Sequence, residues 1–192
     1  MLKWTIDQDI ILYQLHESFA PRYAELVQEN KQYLSQWLNW PRVCHSTDDF
    51  KTFIQGSLYK YIDGDGLDYA IEFRGELVGN IGFNTIDHEL KKAEIGYWIG
   101  QQYQGNGIIT RACRFLIAYA FETLNVEKVQ IAVAEDNRPS RAVCERLGMT
   151  LEGIISHQEK VGDRILSHAI YGMFPSNISS PNISPSNVSP SK

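Results

Sequence analysis

The sequence predicts an α/β layer built on a mixed, mostly antiparallel central sheet flanked by helices. Two observations lead there. Apolar residues switch repeatedly between a period of two and a helical period, in the order β-α-α-β-β-β-α-β-α-β-β. The middle strands are joined by Arg74-Gly75-Glu76, short enough for a hairpin, and by the polar stretch Asp87 to Lys92, so neighbouring strands run antiparallel.

Ile10 to Leu15 reads as the first strand. From Phe19 the spacing changes: Phe19, Tyr23, Leu26 and Val27, then Leu34, Trp37 and Leu38, suit one or two amphipathic helices. Ser46 or Thr47 can cap the next helix, whose core face is Phe50, Phe53, Ile54, Leu58 and Tyr61. Asp63-Gly64-Asp65-Gly66 is a turn, followed by strands over Leu67 to Phe73, Leu77 to Ile86 and Ala93 to Gly100. Ala112, Phe115, Leu116, Tyr119, Ala120 and Leu124 mark a long helix after a glycine loop. Val129 to Val133 is a strand. Pro139 to Leu147 is a helix entered through Asn137 and stopped by Gly148. Strands over Leu151 to His157 and Ile165 to Phe174 close the domain. The remaining stretch, 175–192, repeats Asn-Ile/Val-Ser from Asn177, Asn182 and Asn187; it holds too little apolar area to offset its ordering entropy and reads as a disordered tail.

Composition removes several classes. A net charge of −5 lacks the basic face that nucleic-acid binding needs. No stretch approaches the roughly 18 apolar residues that span a bilayer, and no secretory signal opens the chain, so a cytoplasmic protein is expected. Cys44, Cys113 and Cys144 are far apart and read as reduced core residues. The five histidines show no metal-ligand spacing, and no metal is expected.

The stretch from Tyr97-Trp98-Ile99-Gly100 through Gln102-Tyr103-Gln104-Gly105-Asn106-Gly107 to Ile108-Ile109-Thr110-Arg111 carries the most chemistry. Gly105 and Gly107 remove Cβ atoms where a ligand would approach the backbone, and the helix start offers unpaired N–H groups. Together they suit a pyrophosphate. The loop has no Lys or Arg before Arg111, so backbone amides must do most of the binding. It lacks the G-K-[ST] ending of a P-loop and the third glycine of the dinucleotide fingerprint.

Gln102, Gly105 and Gly107 match the Q/R-x-x-G-x-G/A signature of the GNAT acetyltransferase superfamily, and the predicted element order is that of its fold. Asn137 and Ser140, leading into Leu147-Gly148-Met149, resemble a second segment of that superfamily. Asn30 to Trp40 resembles the N-x-x-x-L-x-x-W-L-x-W stretch of the RimJ/RimL-type ribosomal-protein N-terminal acetyltransferases, with Asn39 where proline is frequent. The resemblance covers Leu2 to Phe174, and the GNAT domain is drawn over residues 1–174. It implies acetyl-CoA as co-substrate, held by Tyr97, Trp98, Ile99, Gln104 to Ile109, Asn137 and Ser140. Trp37 and Trp40 would wall the acceptor cleft, or simply pack the helix end.

The implied reaction is attack of a neutral amine on a thioester. It requires a base, an oxyanion donor and a proton for the departing sulfur. Where many relatives place a Tyr for the sulfur, the helix over Ser140 to Leu147 has none, leaving the Ser140 hydroxyl. Glu159 is the chosen base, with His157 and Glu94 as rivals. A protein α-amino group titrates near 7.7–8.0 and a lysine near 10.4, so one modest carboxylate matches an N-terminal amine. The acceptor expected is therefore the N-terminus of a protein such as a ribosomal protein. A small amine (polyamine, aminoglycoside or amino acid analogue) and a non-catalytic acetyl-CoA sensor are the alternatives. Monomer and homodimer both stay open.

Overall fold

The computed structural model describes residues 2–177; the Asn/Ser/Pro repeats of 178–192 lie outside the described residues. Strands β1 (Lys3–Thr5), β2 (Ile10–Gln14), β3 (Leu67–Phe73), β4 (Glu76–Asp87), β5 (Lys92–Ile99), β6 (Lys128–Ala134), β7 (Thr150–Val161) and β8 (Arg164–Met173) form one sheet in the order β1-β2-β3-β4-β5-β6-β8-β7. All neighbours are antiparallel except β5 and β6. Helices α1 (Ala20–Leu34) and α2 (Thr47–Asp63) cover one face; α3 (Ile108–Glu122) and α4 (Arg138–Leu147) cover the other. The expected mixed, mostly antiparallel sheet between helices is what forms.

Strand β1 escaped the sequence reading because three residues are too few to show a period. Trp4 fixes it: its ring lies 5.4 Å from that of Phe115 and 6.1 Å from that of Tyr119 on α3, and its indole N–H donates to Tyr69 Oη at 3.1 Å. The stretch from Phe19 to Leu38 is one helix, α1, followed by turns and a 3-10 turn at Trp40–Arg42 that holds Pro41. Ser46 begins α2 with a capping box: Asp49 N–H donates to Ser46 Oγ, while the Asp49 carboxylate accepts from the Ser46 hydroxyl and N–H. Those donors and the His45 N–H hold Asp49 down to about 2.

Alternation within each strand divides the core in two. From β5, Ala93, Ile95 and Ile99 join the α3/α4 side, while Trp98 faces α1 and α2. Cys113 and Cys144 are buried among apolar groups, which pushes the Cys113 thiol up and Cys144 to about 12; all three cysteines are free thiols.

Beneath α1 and α2 lies a polar chain. Ser57 Oγ and Asn80 Nδ2 donate to the two oxygens of Asp68 at 2.7 and 2.9 Å, and the Tyr23 hydroxyl donates to Asn80 Oδ1 at 3.0 Å. Tyr23, Ser57 and Asn80 are buried. Burial raises Asp68 above the ordinary carboxylate range, against the pull of its two donors and of Lys60. A carboxyl raised on folding destabilises the fold when ionised. The contribution of Asp68 to stability should therefore increase as pH falls from neutral toward about 4, while the lowered carboxyls Asp7 and Asp49 act in the opposite sense. Asp68→Asn can keep both contacts without the charge and should flatten that dependence. Asp68→Leu strands Ser57 and Asn80 and should cost about 1–3 kcal/mol. Urea midpoints of the three proteins across this pH range check both statements. An Asp68→Asn protein with the wild-type slope would refute the first.

Candidate active site

The site starts where the parallel pair separates. Strands β5 and β6 pair only through Lys92–Glu94 and Lys128–Gln130, yet they continue to Ile99 and Ala134. On its other side β5 stays bonded to β4, and Gly100 N–H donates to Val78 O at 2.9 Å. Since strand backbone groups alternate in direction, those of Tyr97 and Ile99 face the gap. They form a short free strand edge with no strand partner, suited to amides of an extended ligand.

The glycine loop closes one end of the gap. Gly105 and Gly107 have φ of 77° and 69°, the left-handed region that side chains rarely adopt, and an added Cβ would meet almost nothing at either. The glycines are there for backbone conformation and for access from outside. Gly107 directly precedes α3 without any side-chain cap, so the first amides of the helix are left open. Asn106 braces the turn, its Nδ2 donating to the carbonyls of Tyr103 and Gln104 at 3.0 and 3.2 Å. Arg111, the nearest cation, is already engaged. It pairs with Asp7 at 2.6 Å and Asp9 at 3.7 Å and donates to Asn106 O at 3.1 Å. Burial works to raise Asp7, but the amides of Asp9 and Ile10 together with Arg111 hold it low.

Across the gap stands the start of α4. Asn137 caps it, accepting Ser140 N–H at 3.3 Å, and Pro139 sits in the first turn. Ser140 Oγ lies 2.7 Å from Tyr97 Oη. Burial pushes the Tyr97 phenol well above its ordinary range, the nearby Cys113 and Cys144 adding to this while Ser140 and Arg146 oppose it. The phenol is thus protonated at neutral pH and can donate to Ser140 Oγ, which leaves the serine proton for the cleft. A helix without tyrosine is served by one from the strand.

Together these elements bound a cleft of ≈ 590 Å³. Of the residues singled out in the sequence, Tyr97, Trp98, Ile99, Gln104, Gly105, Gly107, Ile108, Ile109, Asn137, Ser140 and Trp37 line it. Asn106, Trp40 and Glu159 do not. Asn106 is exposed, its side chain spent on the loop carbonyls. Trp40 is packing: its ring lies 5.5 Å from Trp98 and meets Phe50 edge-on at 6.1 Å, which holds it beneath the wall that Trp37 forms. Sequence reasoning missed Tyr33, Tyr103 and Arg146, which also line the cleft. The Tyr33 hydroxyl accepts a hydrogen bond from Gln104 Nε2 and ties α1 to the glycine loop. No local pattern marks such a partner, because it is 71 residues away.

Glu159 sits on β7 with its Oε2 3.3 Å from His168 Nε2 on β8. The histidine nitrogen is buried and makes no hydrogen bond to any described residue, so the two groups meet by proximity alone. His157 lies in a bulge between Ile155 and Glu159, at φ 54° and exposed, while Glu94 accepts from Gln130 Nε2 at 2.9 Å. The hairpin tip beyond Glu159 returns to the turn after α1. Gly162 N–H donates to Asn39 Oδ1 at 3.2 Å, Arg164 donates to Gln36 O, and Arg42 lies against Gly162. Gln36 and Asn39 flank Trp37-Leu38, the cleft wall. Asn39 fastens the hairpin to that wall through its side-chain oxygen, which proline could not do.

Residues 9–150 match the family described as "Acetyltransferase (GNAT) domain". The chain is 40% identical over 154 residues to the "Putative ribosomal N-acetyltransferase YdaF" of Bacillus subtilis (strain 168), covering 80% of this chain and 84% of that protein. It is 32% identical over 158 residues to the "Ribosomal-protein-serine acetyltransferase" of Escherichia coli (strain K12), covering 82% and 88%. Among solved structures, RimL, a ribosomal L7/L12 alpha-N-protein acetyltransferase in complex with coenzyme A, superposes with a TM-score of 0.85 at 28% identity, covering 88% of this chain and 96% of its own.

The hairpin contacts yield a direct test. Replacing both Asn39 and Arg164 by Ala removes its two hydrogen-bonded ties to the 36–42 turn. Amide exchange at Gly162 should accelerate about tenfold or more, with little change in Tm because the lost bonds are exposed. Wild-type exchange at Gly162 would show that other contacts hold the tip.

Proposed function

We propose that this chain, which belongs to the GNAT acetyltransferase family, acetylates the N-terminal α-amino group of a protein, foremost a ribosomal protein, in the cytoplasm. N-acetyl transfer from acetyl-CoA is the activity of the family; the acceptor and the residue roles are our reading. One observation supports it: the cleft joins a free strand edge and open helix amides to the Ser140–Tyr97 pair, and none of the described residues that line it is Asp or Glu. A polyamine or aminoglycoside is multiply cationic and calls for carboxylates there. Of the clustered carboxylates Asp63, Asp65 and Asp68, Asp68 is committed to Ser57 and Asn80. A single N-terminal amine makes no such demand. The relatives named as ribosomal acetyltransferases support the same acceptor.

In this reading the pantetheine arm pairs with the backbone of Tyr97 and Ile99, and the pyrophosphate meets the amides from Gln104 to Ile109. The attacking amine loses a proton to Glu159, held by His168, through water. A backbone N–H facing the gap stabilises the oxyanion, and Ser140, oriented by Tyr97, protonates the departing sulfur. A sensor without catalysis would need neither the Ser140–Tyr97 pair nor Glu159.

Gly107→Val forces a β-branched residue to φ 69° and closes the amide cradle. Acetyl-CoA binding should fall by at least about 100-fold, consistent with a lost charge-assisted network, while the melting curve stays cooperative. Unchanged affinity in a folded variant refutes the cradle. For the chemistry, kcat/KM is measured against pH with an N-terminal peptide. Ser140→Ala should lower it by about 10- to 10³-fold across the range. Glu159→Gln should lower it most below the amine pKa and recover part of the rate above it, where the acceptor is already neutral. A Glu159→Gln profile parallel to wild type would leave the carboxylate without a role in deprotonation.

A further inference from the structure

Two guanidinium groups sit beside the Trp37 wall without a carboxylate partner. Arg164 on β8 donates to Gln36 O, and Arg42 donates to Ser35 O at 3.3 Å and lies against Gly162. These two carbonyls fall between Leu34 and Trp37, both of which line the cleft. Ser35 ends α1, so both cations also meet the negative end of that helix. A guanidinium has five N–H donors, and each of these two spends one in this way. Both residues are exposed, and neither forms an ion pair with any described residue.

Strand register fixes where they stand relative to Glu159. Val161 faces Arg164 across the β7–β8 hairpin, and Glu159 lies two residues before Val161, so Glu159 and Arg164 share one face of the sheet. Val161 is fully buried, which turns this face toward the 36–42 turn. Lys160 falls on the opposite face. The carboxylates of the hairpin end do not neutralise the pair. Glu159 Oε2 lies 3.3 Å from His168 Nε2, and Asp163, exposed in the turn, forms no ion pair with any described residue. Two strand residues separate Glu159 from the level of Arg164, about 7 Å, and an extended acceptor covers that distance in two residues. We propose that Arg164 and Arg42 form a carboxylate-binding rim that selects acceptors with Asp or Glu at the second or third residue from the acetylated amine. This rests on the reading of the acceptor as a protein N-terminus. Planar guanidinium forks suit a carboxylate, and an acidic segment would supply the counter-charge that this chain withholds from them.

The test uses the full chain, acetyl-CoA and three peptides that differ only at their second and third residues, which are both Glu, both Gln or both Lys. kcat/KM for the acidic peptide should exceed that for the neutral one by about five- to tenfold, the scale of charge pairs at an exposed rim. The lysine peptide should fall below both. The difference should lie in KM with kcat nearly constant, because the contact is the same before and during reaction, and added salt should shrink it. Replacing Arg42 and Arg164 together by Gln should bring the three peptides to one value. Arg164→Glu should reverse the order in favour of the lysine peptide. Arg164→Lys keeps the charge and should retain part of the preference, which serves if the double variant does not fold. Equal kcat/KM for the three peptides with the full chain would overturn the proposal. So would variants that slow all three by one factor, since the guanidinium groups would then only fasten the hairpin. Acetylation of none of the peptides would overturn the N-terminal acceptor itself and the proposal with it, a result distinct from either of these.

Discussion

The separation of β5 from β6 is the constraint on which the rest of the molecule depends. Two parallel strands that bond for three residues and then part leave polar backbone without a partner in the middle of a sheet, a position where such groups are normally satisfied. The surrounding structure keeps them apart. Strand β4 holds β5 on one side through Ile99, and β8 holds β6 on the other through Ala134. The start of α4 sits at the mouth of the gap, where Ser140 meets Tyr97. A ligand that enters therefore completes a hydrogen-bonding pattern instead of disturbing one.

The electrostatics follow from the same geometry. The chain is acidic overall, and the glycine loop contains no free cation. Binding of an anion must then rely on short-range amide donors fixed by the backbone, which salt screens less than it does exposed charges. Arg111 contributes indirectly. By pairing with Asp7 and reaching Asn106 O, it ties the turn after β1 to the loop and helps fix the direction of those amides.

Most of this was legible in the sequence where the signal is local. The paired glycines, the Asn137 cap, the Gly148 stop and the period of each strand longer than three residues all announce themselves within a few neighbours. Partners remote in the chain were not legible. Ser140 was recognised as a hydroxyl at a helix start, but nothing near it points to Tyr97, 43 residues earlier. Trp37 and Trp40 share a residue type and a short stretch, yet one faces the cleft and the other is clamped between Phe50 and Trp98, a difference fixed by the 3-10 turn at Trp40–Arg42. Asn39 shows the same limit: its tie to Gly162 spans 123 residues.

The fastening of the β7–β8 tip to the turn after α1 divides the cleft into two halves held by different means. One half is assembled from β5, the glycine loop, α3 and α4, and its shape is set by backbone geometry. The other half depends on a surface turn and a hairpin tip that grip each other through Gln36, Asn39, Gly162 and Arg164. Mutations in those two surface segments can reshape the Trp37 wall of the cleft without disturbing the glycine loop. Such a scaffold can diverge toward new amines by small surface steps, each tested by selection while the donor half continues to work.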